Sequence, residues 1–142
     1  MRANGLFGIL LAGTLGMAAA TAQAQVVVII STKNPISKLT ADQVSQIFLG
    51  QAKTFYTGAM CEPLDQAEGS GARNEFYQKV TGKNAAQLRA HWSKLTFSGK
   101  AQPPQALAGN QAVVKMVADN PKFIGYVDKS AVDGSVKVVL AP

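Results

Sequence analysis

Glu68-Gly69-Ser70-Gly71-Ala72-Arg73, running on into Asn74-Glu75-Phe76-Tyr77, reads as a tight glycine turn that opens a helix. Ser70 is a good N-cap, because its side-chain oxygen can accept from a backbone N–H two or three residues on. Phe76 and Val80 then fall four apart on one helix face, with Tyr77 beside them. A helix N-terminus presents unpaired N–H groups and the positive end of the macrodipole. With a hydroxyl, two glycines that admit close backbone approach and a guanidinium, the turn can hold an oxyanion such as phosphate or sulfate. The plainer alternative stays open: Ser70 is only a cap and Arg73 a solvated first-turn residue.

Working back from the turn, Met60 to Leu64 is expected to be a strand, with Pro63 placing it near an edge or close to its own end. Asp65-Gln66 is expected to leave that strand and lead into the turn. The candidate site then follows the carboxyl end of a strand and opens a helix, where ligands bind in open α/β sheets. Upstream, Val26-Val27-Val28-Ile29-Ile30 is a continuous β-branched run, suited to a strand buried on both faces as in a parallel sheet. Thr40 and Gln43 form a capping box. Leu39 can staple onto Val44, the face Val44/Ile47/Phe48 is apolar, and Gly50 ends the helix.

Downstream of the turn, Gly82 stops the helix that begins at Arg73, and Asn84 caps the next. Leu88, Trp92 and Leu95 recur along one face of that next helix. His91 lies beside that stripe and is expected at the surface or an edge. The stretch from Phe97 to Pro104 reads as a long loop, with a helix resuming near Asn110 that buries Val113, Val114 and Val117. Asn120-Pro121 breaks it. Phe123 to Val127 is a strand, with Gly125 marking a bulge or a close backbone approach. Asp128 to Val132 is a short turn or helix, and Ser135 to Leu140 a last strand. The order β-α-β-α-α-α-β-β predicts an α/β three-layer sandwich on a mixed, mostly parallel sheet.

The chain has 142 residues. Its first 24 read as a secretory signal peptide: Arg2 is the only charge before Lys33, Leu6 to Ala20 is apolar, and Ala22-Gln23-Ala24 supplies the cleavage pattern. Cleavage is predicted before Gln25. Position 14 is Thr where a lipoprotein box needs Cys, so a soluble, unlipidated periplasmic form is expected. The 118 residues left after removing 24 from 142 suit one domain, residues 25–142. Without Arg2, 13 basic side chains face 8 acidic ones, a net of +5. That balance suits acidic ligands, but the lysines are scattered and not interleaved with aromatics, so nucleic acid is not an expected partner. Cys61 and His91 are each the only residue of their kind, which excludes an internal disulfide and a zinc-type cluster. No cofactor or metal is expected.

In this order and spacing, the segments resemble the periplasmic phosphate-binding proteins of ABC transporters, of the type II periplasmic binding protein fold. The resemblance is carried by Leu39-Thr40 with Gln43, Ile47-Phe48 and Gly50, and by Gly69-Ser70-Gly71-Ala72-Arg73 with Phe76, similar to the family's Ser-Gly-Thr-Arg turn. Trp92 and Asn120-Pro121 ahead of Ile124-Gly125-Tyr126-Val127 complete it. It spans about Val26 to Val139. It implies an anion site at Gly69, Ser70, Gly71, Ala72 and Arg73, a phosphate-type ligand, an ABC permease or sensor as partner, and no catalysis. Family members are more than twice as long and close two lobes around the ligand; this chain resembles one. Ala72 stands where the family has Thr or Ser, and Glu68 adds a repulsive charge. A half site implies weak binding unless a second copy, as in a homodimer, or another protein completes the cleft. The alternative function is a periplasmic interaction protein that keeps the fold without tight ligand binding. Enzymatic readings are poorer. Ser70 lacks the Gly-x-Ser-x-Gly elbow, and Gly82-Lys83-Asn84 lacks the glycine of a phosphate loop five residues earlier.

Overall fold

A computed structural model describes residues 25–142; the expected leader, residues 1–24, lies outside the described residues. The elements are β1 (Val26–Ser31), α1 (Ala41–Phe48), β2 (Glu62–Gln66), α2 (Gly71–Thr81), α3 (Ala85–Phe97), β3 (Gln105–Leu107), α4 (Asn110–Asp119), β4 (Phe123–Asp128), a 3-10 turn (Lys129–Ala131) and β5 (Val136–Leu140). The five strands form one sheet in the order β3-β2-β4-β1-β5. β2 runs parallel to β3 and β4, while β1 is antiparallel to both β4 and β5. Four strands therefore share a direction, and β1 runs against them from inside the sheet. The sheet is mixed and mostly parallel, as expected.

Helices cover both faces. The alternation of side chains along β1 splits its apolar run between two cores. Val26, Val28 and Ile30 join Phe48, Phe76, Tyr77, Leu88 and Trp92 of α1, α2 and α3. Val27 and Ile29 join Val113, Val114 and Val117 of α4. β1 is buried on both faces, as its apolar run predicts, but its partner strands are antiparallel and not parallel, since such a run needs only two covered faces.

Local chemistry sets the element ends. The Thr40–Gln43 capping box forms in both directions, at 3.1 and 2.9 Å. Asn84 and Gln87 make a second box, at 2.9 Å each way. Gly82 ends α2 with φ +71°, a left-handed cap that a side chain would strain. Gly125 is a close approach: a Cβ there would lie 2.4 Å from Val113 Cγ1, so α4 rests on the strand backbone.

Two expectations need correcting. The segment Phe97–Pro104 is followed by β3, a three-residue edge strand where the sequence predicts only loop running into helix. β2 also ends later than expected. Asp65 and Gln66 belong to the strand, and Leu64 to Gln66 pair with β3, so Pro63 sits near the start of an interior strand and away from that ladder.

Candidate functional site

Three strands, β3, β2 and β4, point their carboxyl ends at one rim of the sheet, and α2 and α4 begin there. The last two residues of β2 are buried and polar, each about 4% exposed. Strand alternation sends Leu64 to the α4 core and Asp65 to the opposite face. Asp65 meets α2 and β4: Tyr77 Oη donates to its Oδ2 at 2.8 Å, Tyr126 Oη donates to its Oδ1, and the Gln66 backbone N–H donates to Oδ1 at 2.8 Å. Gln66 turns the other way, donating from Nε2 to Asn110 Oδ1 at 3.0 Å and to the Tyr126 carbonyl at 2.9 Å. Asn110 in turn donates to Asp128 Oδ2 at 2.8 Å. One buried network thus ties the first turns of α2 and α4 to the sheet rim.

Ser70 caps α2, its Oγ accepting from the Arg73 N–H at 3.0 Å. Gly69 has φ +90°, a conformation that favours glycine, whereas Gly71 is the first residue of the helix. A Cβ added at either glycine would meet no atom within 4 Å, so the turn faces open space. Arg73 sits in the first turn, where a cation runs against the helix dipole. Its side chain is only 12% exposed. Its Nε is 3.4 Å from Asp65 Oδ1, an ion-pair distance without hydrogen-bond alignment, and its guanidinium carbon is 5.3 Å from the Tyr77 ring centroid. Among the described residues, its two Nη atoms make no hydrogen bond. Glu68, expected to repel an anion at the turn, does not stand there as a lone charge; it pairs with Arg89 of α3, both more than half exposed. Such a pair stabilises little.

The predicted residues Gly69, Ser70, Gly71, Ala72 and Arg73 lie together, and Ala72 packs on the core. Sequence reasoning missed Asp65, Tyr77, Tyr126, Gln66 and Asn110. The clue available was Asp65-Gln66 directly ahead of the turn. His91 is half-buried, with Nε2 2.9 Å from the Leu49 carbonyl oxygen, a structural contact.

Burial, and then the charge of Asp65, push the Tyr77 and Tyr126 hydroxyls well above the usual tyrosine range, so both stay protonated donors. Cys61 is buried as a small hydrophobe, and burial pushes its thiol from 9.0 up to about 12. Between those values the unfolded chain sheds a proton that the folded chain keeps, so stability falls as pH rises. We expect the folding equilibrium constant to drop about tenfold per pH unit from this thiol alone above pH 9. The buried tyrosines steepen the fall above pH 10. Urea midpoints measured from pH 8 to 11 test this, with Cys61→Ala giving the shallower slope; parallel slopes would overturn it.

No protein-family model matches the sequence, and no curated protein does. Solved structures do. An ABC-type phosphate transport receptor from Vibrio cholerae superposes with a TM-score of 0.64 at 17% identity, over 82% of this chain and 45% of that one. A Clostridium perfringens protein, assigned as a phosphate ABC transporter substrate-binding protein and solved with bound phosphate, gives 0.66 at 25% identity, over 82% and 44%. The PstS protein of Borrelia burgdorferi gives 0.63 at 14%, over 82% and 46%. The fold is that of the phosphate receptors of ABC transporters. This chain spans less than half the length of those receptors, the extent of a single lobe. Among the described residues, no helix is long and apolar enough to cross a membrane.

Proposed function

We propose that the protein is an exported, periplasmic receptor for phosphate or a similar oxyanion, non-catalytic, working with an ABC permease or a sensor. The anion would sit at the first turn of α2, on the backbone N–H groups of Gly71 and Ala72, the Ser70 hydroxyl and the Arg73 guanidinium, with Gly69 shaping the turn. The observation that carries this reading is the posture of Arg73. Asp65 and the Tyr77 ring hold the guanidinium from behind, at a helix end that disfavours a cation, while its Nη atoms remain without a protein partner. A purely structural arginine has little reason to be held only by one carboxylate and a ring face with its fork left over. The phosphate bound in the Clostridium receptor supports the choice of anion.

One lobe leaves the anion solvated on one side, where charge interactions are screened. Millimolar affinity, about −4 kcal/mol, is expected for the protein alone. At a hundred times that concentration, phosphate should raise the unfolding free energy by about 2.7 kcal/mol. Arg73→Ala should remain folded, at some cost in stability from leaving the buried Asp65 carboxylate without its counter-charge, and lose the whole phosphate increment. Denaturation curves with and without phosphate check both. An unchanged increment in Arg73→Ala would refute the site. No increment in the parent, with mass rising with concentration on a sizing column, would favour the interaction-protein reading.

A further inference from the structure

Arg73 is also part of the wall of an open groove of about 610 Å³ that runs along α3. One end of the groove is charged, with Arg73 and the Glu68–Arg89 pair. Further along α3 its wall adds the apolar and aromatic Trp92, Phe97 and Pro103, with Ser93 and Thr96. That volume falls in the range of about 300–1,000 Å³ used by organic ligands, and a lone tetrahedral anion would leave most of it to water. Phe97 is 96% exposed, a large ring held in solvent at the end of α3. Trp92 is 8% exposed, and its Nε1 is buried without a hydrogen-bond partner among the described residues. A second groove touching Arg73, about 510 Å³, has Glu75 and Lys83 in its wall and no exposed aromatic ring, so it lacks this division into a charged and an apolar end.

We infer that the ligand is a phosphate monoester with a flat apolar or aromatic group, its phosphate on Arg73 and the first turn of α2 and its organic part along Trp92, Phe97 and Pro103. This rests on the oxyanion reading above and narrows it. The phosphate of an ester keeps two charges and three acceptor oxygens near neutral pH, enough to engage both Nη atoms and the backbone N–H groups. The organic part covers an exposed ring that inorganic phosphate leaves in water.

The test is calorimetry of the purified protein with inorganic phosphate, phenyl phosphate and phenol, repeated on Phe97→Ala and Arg73→Ala. At 96% exposure, Phe97 can be truncated without loss of fold. Phenyl phosphate is expected to bind about tenfold more tightly than phosphate, with that advantage lost in Phe97→Ala and all anion binding lost in Arg73→Ala. Equal affinities for phosphate and phenyl phosphate, both dependent on Arg73, would overturn the ester and leave the anion site standing. An advantage that survives Phe97→Ala would overturn the groove as its seat. No binding of either anion would overturn both readings, and binding of phenol as tight as phenyl phosphate would make the groove an apolar site unrelated to the anion.

Discussion

Asp65→Ala is expected to cost about 3–5 kcal/mol of stability, the cost of leaving a buried charge cluster without one partner. The carboxylate accepts from Tyr77, Tyr126 and the Gln66 N–H and faces Arg73, all at a position about 4% exposed. Its removal strands two tyrosine hydroxyls whose pKa values, held high by burial, leave them no route to ionise. It also leaves the Arg73 guanidinium without a counter-charge at the positive end of α2. For a domain of ordinary stability, this is a third or more of the total. In urea the midpoint should fall by roughly 2 M or more. Asp65→Asn keeps one acceptor oxygen and should fall between the parent and Asp65→Ala. A change below about 1 kcal/mol in Asp65→Ala would mean that the network carries no weight.

Phe76→Ala is the second large effect, also about 3–5 kcal/mol, from lost apolar burial and the cavity left behind. Phe76 is fully buried. Its ring stacks on Tyr126 at 4.1 Å between centroids, only 7° from parallel, and meets Phe48 and Tyr77 edge-on at 4.7 and 5.0 Å. These four rings fix α2 against α1 and the sheet, and so fix the turn that precedes α2. The variant should therefore lose near-ultraviolet tyrosine dichroism, and its phosphate-dependent stabilisation should shrink with it. Phe76→Leu, closer in volume, should cost less than half as much. Equal losses for the two variants would show that ring geometry matters more than volume.

What could be read from the sequence was what neighbours along the chain decide. The Thr40 and Asn84 caps, the glycine stop at Gly82 and the two-sided burial of β1 all depend on local patterns, and all formed. The close approach at Gly125 was legible because a lone glycine in an apolar strand has few other uses. β3 escaped because its three residues are mostly exposed and carry no alternation of apolar and polar side chains. Asp65 and Gln66 looked like strand-leaving polar residues. Their burial is set by Tyr126 and Asn110, 61 and 44 residues away, which no local window contains. The candidate site was legible only in its outline. Ser70 and Arg73 could be named, but the groove along α3 could not, because the exposure of Phe97 is a tertiary fact.

The position of β1 has a consequence for how the molecule comes into being. The first strand of the described chain lies inside the sheet, with Val26 opposite Asp128 and Val28 opposite Leu140. Until the last twenty residues arrive, its two flanks have nothing to pair with. Closing a loop of about a hundred residues costs on the order of 4 kcal/mol before any of those pairings stabilise it. Acquisition of structure should accordingly be slow and late, close to all-or-none.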